Sequence, residues 1–249
     1  MLRRVLVTRP AEDAAPLVRA LEADGFTVLA EPLLRIRFLE GVRPDFSGLQ
    51  ALAFTSANGV RALSFAAPDA NDPNAKYKRL AVFAVGPATA QAARAAGFAD
   101  VTSAEGDVAS LARLIIEACP SAAGAVLHVA GSARAGDLMG ALQGAGLDAR
   151  RAVLYEAIAA EALSVSLRRE IDAKTIGAVL IFSPRTARLF VNLLTGAGLV
   201  PRAREMCLVA LSPAVAEAAA ALPWGAVKVA ERPVQEAVVA ALTEAVEGN

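Results

Sequence analysis

One histidine, one tryptophan, two tyrosines and two cysteines are all that 249 residues contain of those types. Each scarcity removes a class of chemistry. Cys119 and Cys207 sit in apolar surroundings without C-x-x-C spacing, so they read as buried thiols rather than a disulfide framework. His128 lies inside the apolar run V-L-H-V-A-G, where a buried strand residue is the ordinary reading. With that histidine and two isolated cysteines, neither a zinc site nor a Ser-His-Asp or Cys-His arrangement can be assembled. No G-x-G-x-x-G follows the first strand and no G-x-x-x-x-G-K-[ST] occurs, which disfavours dinucleotides and nucleoside triphosphates. No sign of charge dominates. Lys plus Arg and Asp plus Glu both total 25, so no strongly basic surface advertises nucleic acid. No window holds about 18 uninterrupted apolar residues, and no membrane span is expected. The opening M-L-R-R-V-L-V-T-R-P carries too short an apolar run for a signal peptide. The chain reads as soluble and cytoplasmic.

What the sequence does have is apolarity, 55% of residues with mean hydropathy +0.46, much of it alanine. It also has an internal repeat. V-L-V-T-R-P at 5–10 and its following helix resemble V-L-H-V-A-G at 126–131, an offset of 121. L-A-F-T-S-A-N at 52–58 resembles V-L-I-F-S-P-R at 179–185, an offset of 127 from Ser56 to Ser183. F-A-V-G-P-A-T-A at 83–90 resembles V-A-L-S-P-A-V-A at 209–216, and residues 101–111 loosely resemble 227–237. Units recurring in one order at nearly constant spacing point to duplication into two similar domains.

The units share a grammar. Each opens with a β-branched apolar run of four or five residues, suited to a strand covered on both faces of a parallel sheet. A short polar turn follows, then an apolar-periodic helix, such as residues 14–23 with Leu17 and Leu21 on one face. Several helices end near glycine, at Gly25, Gly97, Gly146 and Gly198. Strand, turn and helix in repetition predict an α/β fold with parallel sheets flanked by helices. Two segments depart from this. Residues 31–39 (E-P-L-L-R-I-R-F-L) alternate apolar and charged side chains, and residues 153–160 are also extended in character. They are either a two-stranded β linker, crossed once in each direction, or edge strands of two sequential domains.

The turns fall at the carboxyl ends of the strands, where open α/β sheets bind ligands. They carry Thr8-Arg9, Thr55-Ser56-Ala57-Asn58, Gly86-Pro87-Ala88-Thr89, Ser132-Ala133-Arg134, Ser183-Pro184-Arg185 and Ser212-Pro213. Serine is a good N-cap, and proline after it suits the first helical position. Any one such turn is ordinarily only a cap. Six of them, with Arg9, Arg134 and Arg185 present, suit a ligand rich in carboxylates, held by helix N-terminal amides and bidentate arginines.

Taken in order, V-L-V-T-R-P, F-T-S-A-N-G-V, A-V-G-P-A-T-A, L-Y-E-A, I-F-S-P and L-S-P-A-V-A resemble the uroporphyrinogen-III synthase family over nearly the whole chain. The resemblance implies two α/β domains joined by a two-stranded β linker, with the active site in the cleft between them. It selects the discontinuous arrangement: residues 1–36 with 159–249 as one domain, 37–158 as the other, and hinge strands near 31–39 and 153–160. It implies closure of hydroxymethylbilane to uroporphyrinogen III and water, with ring D inverted through a spiro intermediate, and no metal or organic cofactor. Spontaneous closure gives the other isomer, so positioning and differential binding carry the catalysis. Tyr155 matches the family's linker tyrosine and is the candidate catalytic group. Thr55, Ser56, Gly86, Thr89 and Ser183 match motif positions. Thr8, Arg9, Asn58, Arg134, Arg185 and Ser212 complete the substrate-binding set on chemistry more than on motif agreement. The implied partners are the linear tetrapyrrole and, in transient hand-over, hydroxymethylbilane synthase; the chain is expected to be a monomer.

One motif departs from the family. Its second G-P-x-T-A reads Ser212-Pro213-Ala214-Val215-Ala216 here, and Val215 cannot donate a hydrogen bond. Ser212 substitutes, or backbone amides carry that contact, or activity is weakened. Two other classes therefore stay open: a two-lobed ligand-binding module, against which stands the lack of an export signal, and a degenerate paralogue that binds a polycarboxylate without turnover.

Overall fold

Apolar runs too short for a helix become strands, and the alanine-rich stretches between them become helices. The computed structural model describes residues 4–67, 75–133 and 136–247. In chain order the elements are β1 (Arg4–Val7), α1 (Ala11–Ala23), β2 (Val28–Ala30), β3 (Leu34–Phe38), β4 (Leu49–Phe54), α2 (Ala57–Ala66), β5 (Ala81–Ala84), α3 (Pro87–Ala95), β6 (Val101–Ser103), α4 (Val108–Ala118), β7 (Ala125–Gly131) and α5 (Leu138–Gly144). They continue with β8 (Ala149–Ala159), α6 (Val165–Asp172), β9 (Ile176–Ile181), α7 (Pro184–Gly196), β10 (Cys207–Ala210), α8 (Pro213–Ala218), β11 (Ala226–Val229) and α9 (Gln235–Glu247). The chain packs as two compact units, the first made of Met1–Arg35 with Ile158–Asn249 and the second of Ile36–Ala157.

The first unit holds a parallel sheet in the order β11-β10-β9-β1-β2. Alternation along its strands feeds two cores. Leu6, Val179, Ile181 and Leu208 pack with α6, α7 and α8 on one face; Val5, Val7, Leu180 and Val209 pack with α1 and α9 on the other. Leu17 and Leu21 of α1 are fully buried, each worth about 1.5–3 kcal/mol of apolar transfer. This two-sided burial is why the strands read as continuous apolar runs.

The second unit repeats the plan. Its strands run β8-β7-β4-β5-β6, mutually parallel, with β3 added at the β8 edge. Position for position, β9, β10, β11, β1 and β2 correspond to β4, β5, β6, β7 and β8. That is the duplication seen in the sequence, with the first unit split so that its fourth and fifth strands come first in the chain. The helix-ending glycines match too: Gly25 after α1 has φ 85° and Gly146 after α5 has φ 81°, a left-handed conformation that any Cβ would strain.

Between β3 and β8 the hydrogen bonds run from Leu39 N to Leu154 O and from Ala160 N to Leu33 O, which makes the pair antiparallel. The chain leaves one unit within β3 and returns within β8. Arg37 and Glu156 form an ion pair across these strands. The alternation in 31–39 is explained by burial: Leu34 is buried, while Arg35 and Arg37 are exposed.

Candidate active site

In the second unit, β4 and β7 lie side by side at the centre of the sheet, yet the helices that follow them cover opposite faces. α2 joins the core of Leu52, Phe54 and Leu127, and α5 joins that of Ala51, Ala53 and Val126. The two connections diverge, and a crevice opens at the carboxyl ends of those strands. A cavity of about 550 Å³ lies there. Thr55 and Ser56 line it from the end of β4, His128 and Gly131 from β7, residues 136–140 from the start of α5 and Gln143 from its last turn, and Arg151 and Tyr155 from β8.

Tyr155 reaches this crevice because of an irregularity. Val153 pairs with Ala130, but the next pair is Tyr155 with Gly131, a register shift that skips Leu154. Such a shift re-aims a side chain. Leu154 stays fully buried in the core, and the Tyr155 ring lies against the Cα of Gly131.

Ser56 caps α2, its Oγ accepting from Asn58 N at 3.1 Å. Asn58 is 8% exposed, and its Oδ1 accepts from Arg61 Nη1 at 2.6 Å, so its side chain serves the helix start. Gly86 caps α3 with extended backbone, and Thr89 in that helix is 6% exposed. Neither Gly86 nor Thr89 lines the cavity. Asp137 caps α5, its Oδ1 accepting from Gly140 N at 2.9 Å. Arg134 lies outside the described residues.

His128 and Arg151 also line the cavity, although the sequence assigns neither to the site. His128 is buried, as its apolar run implied, but its Nε2 lies 3.2 Å from Thr55 Oγ1, and its ring also lines the cavity. Burial, assisted by the charge of Arg151, drives its pKa from 6.5 down to about 4, so the ring is neutral near pH 7. Arg151 is the register partner of His128 on β8 and donates through Nη2 to the Gly131 carbonyl. An arginine beside a histidine emerges only once the β7–β8 register is known; no local signal announces it.

The first unit has its own diverging pair, β9 and β1, followed by α7 on one face and α1 on the other. Thr8, just after β1, is fully buried, its Oγ1 donating to Leu180 O at 2.9 Å, so this hydroxyl is used inside the fold. Arg9 stacks its guanidinium 4.5 Å above the Phe182 ring and donates from Nη1 to Gln235 Oε1 at 3.1 Å. Ser183 caps α7, accepting from Thr186 N at 3.1 Å, and its Oγ also lies 2.8 Å from Thr186 Oγ1. Arg185 is exposed in the first turn of that helix. Ser212 occupies the N-cap of α8 without a side-chain cap bond. Val215 is 1% exposed within the core formed with α7 and β10. Its counterpart Thr89 is also buried, so the departure from the family motif falls at an interior position.

Among the described residues, no group of three or more His, Cys, Asp or Glu side chains is placed to hold a metal ion. No described helix is long and apolar enough to cross a membrane.

The model of the family described as "Uroporphyrinogen-III synthase HemD" matches residues 15–240. A uroporphyrinogen-III synthase from Chlorobaculum parvum is 37% identical over 92 residues, a match that spans 36% of this chain and 37% of that protein. The fold is similar to that of a uroporphyrinogen-III synthetase from Helicobacter pylori, with TM-score 0.62, 17% identity, and 97% of this chain and 99% of that one covered. It is also similar to a mutant uroporphyrinogen III synthase from Thermus thermophilus, with TM-score 0.58, 15% identity, and coverage of 99% and 100%.

Proposed function

From the premise that this chain belongs to the uroporphyrinogen-III synthase family, whose model matches residues 15–240, we propose that it closes hydroxymethylbilane to uroporphyrinogen III with release of water. The observation that carries the reading at residue level is the cavity at the β4–β7 divergence, where a half-buried phenol, Tyr155, meets Thr55, Ser56 and Arg151. The substrate's four pyrroles carry acetate and propionate arms. Hydroxyl donors, an arginine and capped helix starts suit such arms, as do Arg9, Ser183, Arg185 and Ser212 in the first unit.

In this reading, Tyr155 donates a hydrogen bond to the terminal hydroxyl of the bilane. The C–O bond breaks, the oxygen leaves as water, and the electron pair of the neighbouring pyrrole nitrogen gives an azafulvene. Attack by the substituted carbon of ring D forms the spiro intermediate. That intermediate fragments and recloses at the free carbon, and the proton lost there balances the one taken by the departing water. The side chains position and polarise; they form no covalent bond. An assisting donor is worth about 10²–10⁴ in rate, and the rest falls to orientation. The chain is proposed to act as a cytoplasmic monomer that receives its bilane from hydroxymethylbilane synthase.

The test is incubation with freshly generated hydroxymethylbilane, followed by oxidation and separation of the porphyrin isomers. Type III product is expected in excess over the spontaneous type I. Type I alone rejects the proposal.

A further inference from the structure

Thr55 and His128 form a contact that the reaction above does not use. Thr55 follows β4, and the one hydrogen bond of its side chain among the described residues is the 3.2 Å contact between Oγ1 and His128 Nε2. His128 sits on the same sheet face as Ala53 and Arg151, its register partners, and lines the cavity beside Thr55. The other ring nitrogen, Nδ1, is buried and has no hydrogen-bond partner among the described residues.

We propose that His128 is a positioning residue: it carries its proton on Nε2, donates it to Thr55 Oγ1, and so turns the threonine hydroxyl outward as a donor to a carboxylate in the cavity. A neutral imidazole has one N–H and one bare nitrogen. A buried N–H without an acceptor is rarer in folded proteins than an under-used acceptor. Placing the proton on Nδ1 would orphan it, whereas Nε2 has an acceptor at hand. Once Thr55 Oγ1 accepts from the ring, its own hydrogen cannot point back at the ring. The open direction is the cavity, where Arg151 supplies the positive charge that draws an anion. A neutral ring leaves the buried Nδ1 bare, so no N–H is orphaned there, and burial beside Arg151 keeps the ring neutral. The inference rests on the reading of this cavity as a polycarboxylate site.

The test begins with the unmodified full chain, so it does not depend on any variant folding. His128 is the only histidine. In a sample with ¹⁵N-labelled imidazole, the ring therefore gives a single unambiguous set of nitrogen resonances. At pH 7 a neutral ring protonated at Nε2 is expected; protonation at Nδ1, or at both nitrogens, overturns the inference. Binding of uroporphyrin III, the oxidised octacarboxylate, is then followed by fluorescence. His128→Phe should weaken it roughly tenfold, the loss of one charge-assisted hydrogen bond. His128→Gln, whose amide N–H takes the place of Nε2–H, should stay within about threefold of the unmodified chain. In a Thr55→Val background, His128→Phe should add nothing. Equal losses in both backgrounds, failure of glutamine to rescue, or no porphyrin binding by the unmodified chain overturns it. The isomer assay stands apart: type I product alone from the unmodified chain rejects the proposed reaction, while the tautomer and the binding series still decide the role of His128.

Discussion

Gly131 and Tyr155 face each other across β7 and β8, and the phenol ring takes the space that a side chain at position 131 would need. A Cβ there would lie 2.8 Å from Cε2 and Cζ of Tyr155. Glycine at this position is therefore a condition for the ring's placement. Gly131→Ala should displace the phenol and lower kcat, with about 1–3 kcal/mol of stability lost to overpacking. Steady-state kinetics and a thermal melt check this; unchanged kcat would mean that the ring has no part in turnover.

Tyr155→Phe keeps the ring and removes the hydroxyl. If the phenol assists the leaving group, kcat should fall about tenfold or more with little change in KM. Turnover equal to that of the unmodified chain would reduce Tyr155 to packing over Gly131.

Arg9→Ala removes a guanidinium that also covers Phe182 and bonds Gln235. If this arginine only holds a carboxylate, KM should rise more than kcat falls. A small loss of stability should accompany it through the uncovered ring, about 0.5–1 kcal/mol. Equal falls in kcat and kcat/KM would instead assign Arg9 an interaction made only in the transition state.

His128 ties stability to pH. Its folded pKa of about 4 lies below the unfolded value of 6.5. Between those values the unfolded chain binds a proton that the folded chain refuses. Lowering the pH from about 6.5 to 4 therefore favours unfolding, by at most about 3 kcal/mol from this group, and the effect levels off below pH 4. Denaturant melts at pH 7 and pH 4.5 should show a smaller difference for His128→Gln than for the unmodified chain.

Val215→Thr restores the family's residue type at a position 1% exposed in the core of the first unit. Burying a hydroxyl there should cost about 1–3 kcal/mol. Activity should not improve. A clear gain in kcat/KM would show that this helix start meets the substrate directly.

How legible was this in the sequence? The strands were readable because both faces of each sheet are covered, which turns Val5–Val7 or Ile176–Ile181 into unbroken apolar runs. The helices were readable from their caps: Ser56 and Ser183 sit at the N-termini of α2 and α7 and accept backbone hydrogen bonds there. What resisted reading depends on lateral register. His128 announced burial correctly, yet its contact with Thr55 needs the pairing of β4 with β7. Arg151 is one of two adjacent arginines in the sequence, and only the alignment of β8 with β7 sets it beside His128. Thr8 reads as a substrate-binding hydroxyl at a strand end, but its partner Leu180 is 172 positions away. Sequence spacing carries the period of an element; it does not carry which neighbour lies beside it.

The split of the first unit has a consequence on the ribosome. β1 is synthesised first, but one of its flanking strands, β9, emerges more than 160 residues later. At roughly 5–20 residues per second, that segment waits about ten seconds or more with its β9 edge unpaired. The second unit, contiguous in the chain, is able to close during the delay. Nascent chains should therefore protect residues 36–157 from protease before the opening strand gains its β9 neighbour.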